Sequence, residues 1–207
     1  MNYLDEFMLI AIAHFFAVAS PGPDFAVVLK QSVQQGRVNA LWTSAGVGAA
    51  ILVHISYCVL GVAVILAQSP SVFITLKYVA GVYLAYLGIQ ALKAAKPTAP
   101  PTGIENITVP AESAWCAARR GFLTNALNPK ATLFFMSLFT LVISATTPIT
   151  VQIGYGVYMA LATWAWFSML ALLLSKAAVR GFFQHWGYWF DRAIGVVLIA
   201  LAIRVVV

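Results

Sequence analysis

The sequence predicts an all-α integral membrane protein, with six transmembrane helices in a 3+3 inverted repeat and with broken first and fourth helices. Three observations carry this. Of the 207 residues, 62% are hydrophobic and only 9% charged, too few charges to clothe a water-soluble surface. Apolar runs of about 20 residues or more, long enough to cross a hydrocarbon core of roughly 30 Å, recur along the chain. Two of these runs, the first and the fourth, are interrupted by proline at corresponding places.

The spans are expected over about residues 4–33, 39–67, 71–93, 116–145, 150–175 and 187–206. The first resembles a secretory signal only in its apolar core and in Ala17-Val18-Ala19. Asp5 and Glu6 stand where such a signal needs positive charge, so it reads as a retained span. "KPTAPPTGIENITVPAES" (96–113), rich in proline and threonine, is the one long loop. It divides the chain into a three-helix repeat (1–95), a connecting loop (96–115) and a second three-helix repeat (116–207). With an odd number of spans in each half, related halves insert in opposite senses.

Basic residues assign the sides. Lys30 and Arg37 follow span one; Lys93, Lys96, Arg119 and Arg120 follow span three; Lys176, Arg180 and Arg192 follow span five. Only Lys77 and Arg204 fall opposite. The positive-inside rule then makes the 96–115 loop cytoplasmic and both termini periplasmic, in a bacterial-type inner membrane. Trp186, Tyr188 and Trp189 read as an interfacial anchor at the start of span six. The formal net charge of +6 does not point to nucleic acid, because the basic residues sit at segment ends and not on one face. Cys58 and Cys116, far apart and with no nearby histidine pair, suggest no metal site and no cofactor.

The breaks are Ser20-Pro21-Gly22-Pro23-Asp24 in span one and Asn125-Ala126-Leu127-Asn128-Pro129-Lys130 in span four. Proline frees backbone carbonyls, and in lipid freed polar backbone survives only around a protein-lined or water-filled cavity. Pro21, Pro23 and Pro129 are therefore expected to shape one internal site, with half-helices aiming partly positive N-termini into it. A charge in hydrocarbon costs roughly 2.5–3.5 kcal/mol on insertion scales, so Asp24 and Lys130 should face inward, toward each other. For Asp24 the plainer role is a helix cap, for Lys130 a snorkelling amine, and for Asn125 or Asn128 a cap on freed backbone.

His14 and His54 stand where a proton relay would be placed, although a neutral histidine bonded to a neighbouring helix accounts for each. Trp164 and Trp166 are candidates to wall a cavity, against simple packing or lipid contact. Small residues, as in Ala45-Gly46-Val47-Gly48, Gly81 with Gly88 and Gly154 with Gly156, permit close helix approach and are compatible with a homodimer. A carboxylate, an ammonium, amides and helix N-termini together match a small zwitterion. Asp24 would take its ammonium or a driving proton, and Lys130 its carboxylate.

Ser20-Pro21-Gly22-Pro23-Asp24-Phe25, Gly36-Arg37, Gly121-Phe122-Leu123-Thr124-Asn125, Asn128-Pro129-Lys130-Ala131 and Phe134-Phe135 resemble the LysE superfamily of amino-acid exporters, most closely its homoserine/threonine exporter (RhtB) branch. The resemblance covers nearly the whole chain. It implies an inner-membrane secondary exporter of small neutral amino acids, threonine or homoserine and its lactone, exchanging them for protons. It also implies that Pro21, Gly22, Pro23, Asp24, Asn125, Asn128, Pro129 and Lys130 belong to the transport core. The competing readings are export of a basic amino acid or cation, and a non-transporting accessory protein. An enzyme is disfavoured, since no HExxH, GxSxG or paired aspartates lie at one depth.

Overall fold

The computed structural model describes residues 2–68, 70–93, 112–144 and 146–173, and near the C-terminus 186, 188, 189, 191–193, 195–200, 202 and 203. Lys96, Lys176, Arg180, Arg204 and most of the 96–115 loop lie outside them. The described residues form helices α1 (Tyr3–Ala19), α2 (Pro23–Gln34), α3 (Gly36–Gln68), α4 (Pro70–Leu92), α5 (Ala114–Ala126), α6 (Pro129–Leu141) and α7 (Ile149–Leu173). Helical residues 191–193 and 195–200 follow, and there is no strand among the described residues.

Both breaks fall where the prolines put them. The first span is a pair, α1 and α2, bent by 51°. Gly22 caps α2 with Pro23 in its first turn, and Asn128 caps α6 with Pro129 in its first turn, positions where a missing N–H costs nothing. Among the described residues, two unbroken stretches are long and apolar enough to cross a membrane, Gly36–Gly61 in α3 and Ile149–Leu173 in α7, and the bent pair adds a third if it is counted as one span. The fourth expected span is two separate helices, of which α6 is the apolar one; α5 carries Arg119, Arg120 and Asn125.

Local chemistry fixes the other ends. Asn2 and Asp5 form a reciprocal capping box on α1, and Ser113 caps α5. Gly36, at φ 81°, lets the chain turn from α2 straight into α3, a left-handed conformation that a side chain would strain.

The molecule is apolar on both its inside and its outside. Ile10, Ile51, Leu84, Phe135, Leu138, Met159 and Leu198 pack one buried core, and Val28, Val47, Phe167 and Leu170 a second. Leu52, Leu60, Val82, Val157 and Leu161 meanwhile point outward and exposed, as a lipid-facing surface requires.

The small residues serve packing within the chain. A Cβ at Gly121 would overlap the Thr43 carbonyl, and one at Gly46 the Ala118 carbonyl, so α3 and α5 cross backbone to backbone. Gly48 faces α7 at Ala160 and Trp164, Gly156 faces Ile55, and Gly88 faces Gly195. These faces, expected to be available for a homodimer, are taken up inside one chain. A Cβ at Gly154 meets nothing within 4 Å.

Candidate functional site

The two breaks face each other across one cavity of about 60 Å³. It is lined by Ser20, Gly22, Pro23 and Asp24 from the first break and by Asn125, Asn128 and Lys130 from the second. Phe134, Phe135 and Phe167 close its apolar walls. Proline at the first helical position of α2 and of α6 is what sets Asp24 and Lys130 one residue further on, each in a first helical turn.

Asp24 does not cap its helix, since the α2 N-terminus has no side-chain cap. Its Oδ2 accepts a hydrogen bond from Asn125 Nδ2 at 3.0 Å, across the two breaks. Its Oδ1 is buried, and among the described residues it has no hydrogen-bond partner. A carboxylate oxygen withdrawn from water without a donor is costly, so this atom is the strongest demand for a cation or proton in the site.

Lys130 does not snorkel. Its Nζ donates to Ser20 Oγ at 3.2 Å. The direct pairing expected between Lys130 and Asp24 is not what forms: among the described residues, the salt bridge within 4 Å is Arg120 to Glu112, elsewhere. Ser20 is itself almost fully buried and donates to Asp191 Oδ1. Asp191 lies in the last helical segment and was not among the residues expected in the site. The signal was present: it is one of only six acidic residues and opens an apolar run, the situation in which an intramembrane charge marks function.

The two asparagines divide their work. Asn128 takes the capping role, its Oδ1 accepting from Lys130 N at 3.0 Å. Asn125 does not cap; it joins Asp24 to His54, whose Nε2 lies 3.2 Å from both the side-chain and the main-chain oxygen of Asn125. His54 also bonds Tyr57 Oη at 2.6 Å and stacks on Phe135 at 5.3 Å. It stands one residue behind the cavity wall. His14 is in the wall, bonded through Nε2 to Thr163 Oγ1 on α7 at 3.0 Å.

Trp164 is a correction. It is 48% exposed, on the outer side of α7, and does not line the cavity. The helix presents Thr163 and Phe167 to the cavity instead, and Trp164 lies against Gly48 of α3, where an added Cβ would overlap it. Trp166 borders a separate crevice between α1 and α7. Near the last segment, Arg192 stacks over Tyr188 and Trp189 at 5.1 and 5.4 Å, which fits an interfacial anchor. Among the described residues no three His, Cys, Asp or Glu side chains gather to hold a metal.

Residues 15–207 match the family model described as LysE type translocator. The chain is similar to the threonine efflux protein of Escherichia coli (strain K12), 27% identical over 206 residues that cover 97% of each chain. It is similar to the leucine efflux protein of Salmonella choleraesuis, 33% identical over 141 residues covering 67% of this chain and 64% of that one. It also resembles an uncharacterized membrane protein of Pseudomonas aeruginosa, 34% identical over 143 residues, 66% of this chain and 63% of the other. No solved structure matches. The match spans both helix breaks and every residue of the cavity between them except His14, so the chain belongs to the LysE type translocator family.

Proposed function

We propose that this protein is a secondary-active exporter of small neutral amino acids, with threonine or homoserine favoured, working by proton antiport across the inner membrane. The observation that carries the reading is the unpartnered, buried oxygen of Asp24 in a cavity shared with the Lys130 ammonium. A substrate ammonium and a proton compete for that one oxygen, and exclusive occupancy is what exchange requires. The substrate carboxylate would be met by Lys130 and the α6 N-terminus.

In this reading the chain has six spans in two inverted halves. The basic face bearing Lys30, Arg37, Arg119 and Arg120 is cytoplasmic, and access alternates around the two breaks. The relatives named for threonine and leucine efflux favour a neutral cargo.

The test is efflux of radiolabelled threonine from proteoliposomes, comparing the native chain with Asp24→Asn under an imposed pH gradient, with homoserine, leucine and lysine as competitors. The proposal expects gradient-driven efflux that Asp24→Asn abolishes. Efflux indifferent to the gradient would remove the proton from the mechanism, and lysine outcompeting the neutral amino acids would replace the cargo.

A further inference from the structure

Asp24, Lys130 and Asp191 are the acidic and basic side chains of the site, and the structure distributes them unevenly. Ser20 accepts from Lys130 Nζ and donates to Asp191, so one hydroxyl joins cation to anion. Asp24 is met by neutral amide, through the bond from Asn125, and not by the ammonium. We propose that Asp191 is the resident counter-ion of Lys130, held through Ser20, and that it thereby keeps the second oxygen of Asp24 free for the ammonium of the cargo or the exchanged proton.

The physical reason is charge balance. A buried lysine without an anion would turn to the nearest carboxylate, and in this cavity that is Asp24. With Asp191 supplying the negative charge, the Lys130 arm is neutral as a unit and the remaining negative charge sits on Asp24 alone. Asp191 is thus a positioning residue, acting on cargo through Lys130 and Ser20.

This rests on the exporter reading above, and the test separates the two. Thermal midpoints in detergent and concentration-dependent threonine efflux are measured for Asp191→Asn, Asp191→Glu, Lys130→Gln and the double variant Asp191→Asn/Lys130→Gln, with Asp24→Asn as the reference. Asp191→Asn should raise the half-saturating threonine concentration about tenfold or more, since it strands a buried charge. Asp191→Glu should recover most of that loss, and the double variant should melt closer to the native chain than either single one does. Native-like saturation in Asp191→Asn, or midpoint losses that simply add in the double variant, would overturn the counter-ion. If Asp24→Asn transports normally, it is the exporter site itself that fails.

A second observation stands apart from the cavity. Glu6 and Glu112 each lie seventeen residues before the proline that opens the following half-helix, Pro23 and Pro129. Each closes an opposite end of the molecule. Glu6, fully buried, accepts from Ser144 N and Thr147 Oγ1 at 2.9 Å and from Tyr155 Oη at 3.3 Å, tying α1 to the α6–α7 turn and α7. Glu112 accepts from Gln31 and Arg120 at 2.8 Å, while its backbone is held by Gln35 and Asn39, tying the entry of α5 to α2 and α3. The start of α1 thus holds the α6–α7 turn at one end, and the entry of α5 holds α2 and α3 at the other. Resting on the alternating access proposed above, we infer that these two carboxylates are paired latches, each holding the cavity shut toward one face of the membrane.

Ala131→Cys, in the cavity wall, reads this in a Cys116→Ser background with a membrane-impermeant thiol reagent, whatever the cargo proves to be. Glu112→Gln should speed labelling from the basic face only, and Glu6→Gln from the opposite face only. Thr147→Val, which removes the hydroxyl shared between both Glu6 oxygens, and Tyr155→Phe, which removes the hydroxyl bonded to Glu6 and to the Tyr3 carbonyl, should do the same more weakly. Equal acceleration from both faces, or none in any variant, would overturn the latches.

Discussion

Asn125, in the last turn of α5, donates a 3.0 Å hydrogen bond to Asp24, in the first turn of α2. One amide therefore couples the two helix breaks, and His54 holds that amide from behind. Removing it leaves the Asp24 carboxylate without this donor. Hydrogen bonds to charged groups are worth about 1.5–3 kcal/mol, so Asn125→Ala should destabilise the folded protein by about that amount. The thermal midpoint in detergent reads this directly.

Gly22 distinguishes packing from cargo contact. Its backbone is extended at φ −165°, and a Cβ there would meet nothing closer than the Ser20 carbonyl at 3.9 Å. Gly22→Ala should therefore fold at native yield. Efflux should nevertheless drop, because Gly22 lines the cavity and a methyl would occupy part of about 60 Å³. Native yield with native efflux would mean that the cargo does not pass over this residue.

Gly121 and Gly46 predict the opposite. Any side chain there overlaps a carbonyl of the facing helix, so Gly121→Ala should cost about 1–3 kcal/mol or more and show as loss of folded protein in detergent. Gly154→Ala, with open space around it, should leave the melting midpoint unchanged or raise it slightly.

Glu112 makes stability depend on pH. Partial burial alone would raise its carboxyl, but hydrogen bonds from Arg120 and Gln31, with the Arg120 charge, outweigh this and hold it below its usual value of 4.5. A carboxyl lowered in the folded state stabilises above its unfolded value, and that stabilisation disappears as pH falls through the folded one. The native chain should out-melt Glu112→Gln at pH 7, and the gap should close progressively below about pH 4.5. A gap that stayed constant on acidification would assign Glu112 a role independent of its charge.

Two thiols report the orientation. Cys116 is exposed near the start of α5 and Cys58 is buried. A membrane-impermeant maleimide should label Cys116 in inverted vesicles and not in intact cells if the basic face is cytoplasmic. Labelling of intact cells would reverse the topology.

The breaks were legible in the sequence because proline acts locally: Pro23 and Pro129 each begin a helix whatever the rest of the chain does. The residues on those breaks came with them, so Asp24, Asn125, Asn128 and Lys130 converge on one cavity. Partners that depend on tertiary approach were not readable. Lys130 reaches Ser20 and not Asp24, and Asp191 enters from a helix far along the chain. Trp164 faces outward while its neighbour Thr163 faces in, a difference of one position that an almost uniformly apolar helix does not encode. The same uniformity hid Glu6, whose partners Thr147 and Tyr155 come from a distant helix and its preceding turn.

The glycine crossing of α3 and α5 joins the first half of the sequence to the second more intimately than either helix could be joined through ordinary side chains. Covalent continuity between the halves is then not what keeps them together. Two polypeptides ending and beginning within 96–111, made separately in the same membrane, should find one another and restore a working protein, with Gly46 and Gly121 as the contact by which each fragment recognises its complement.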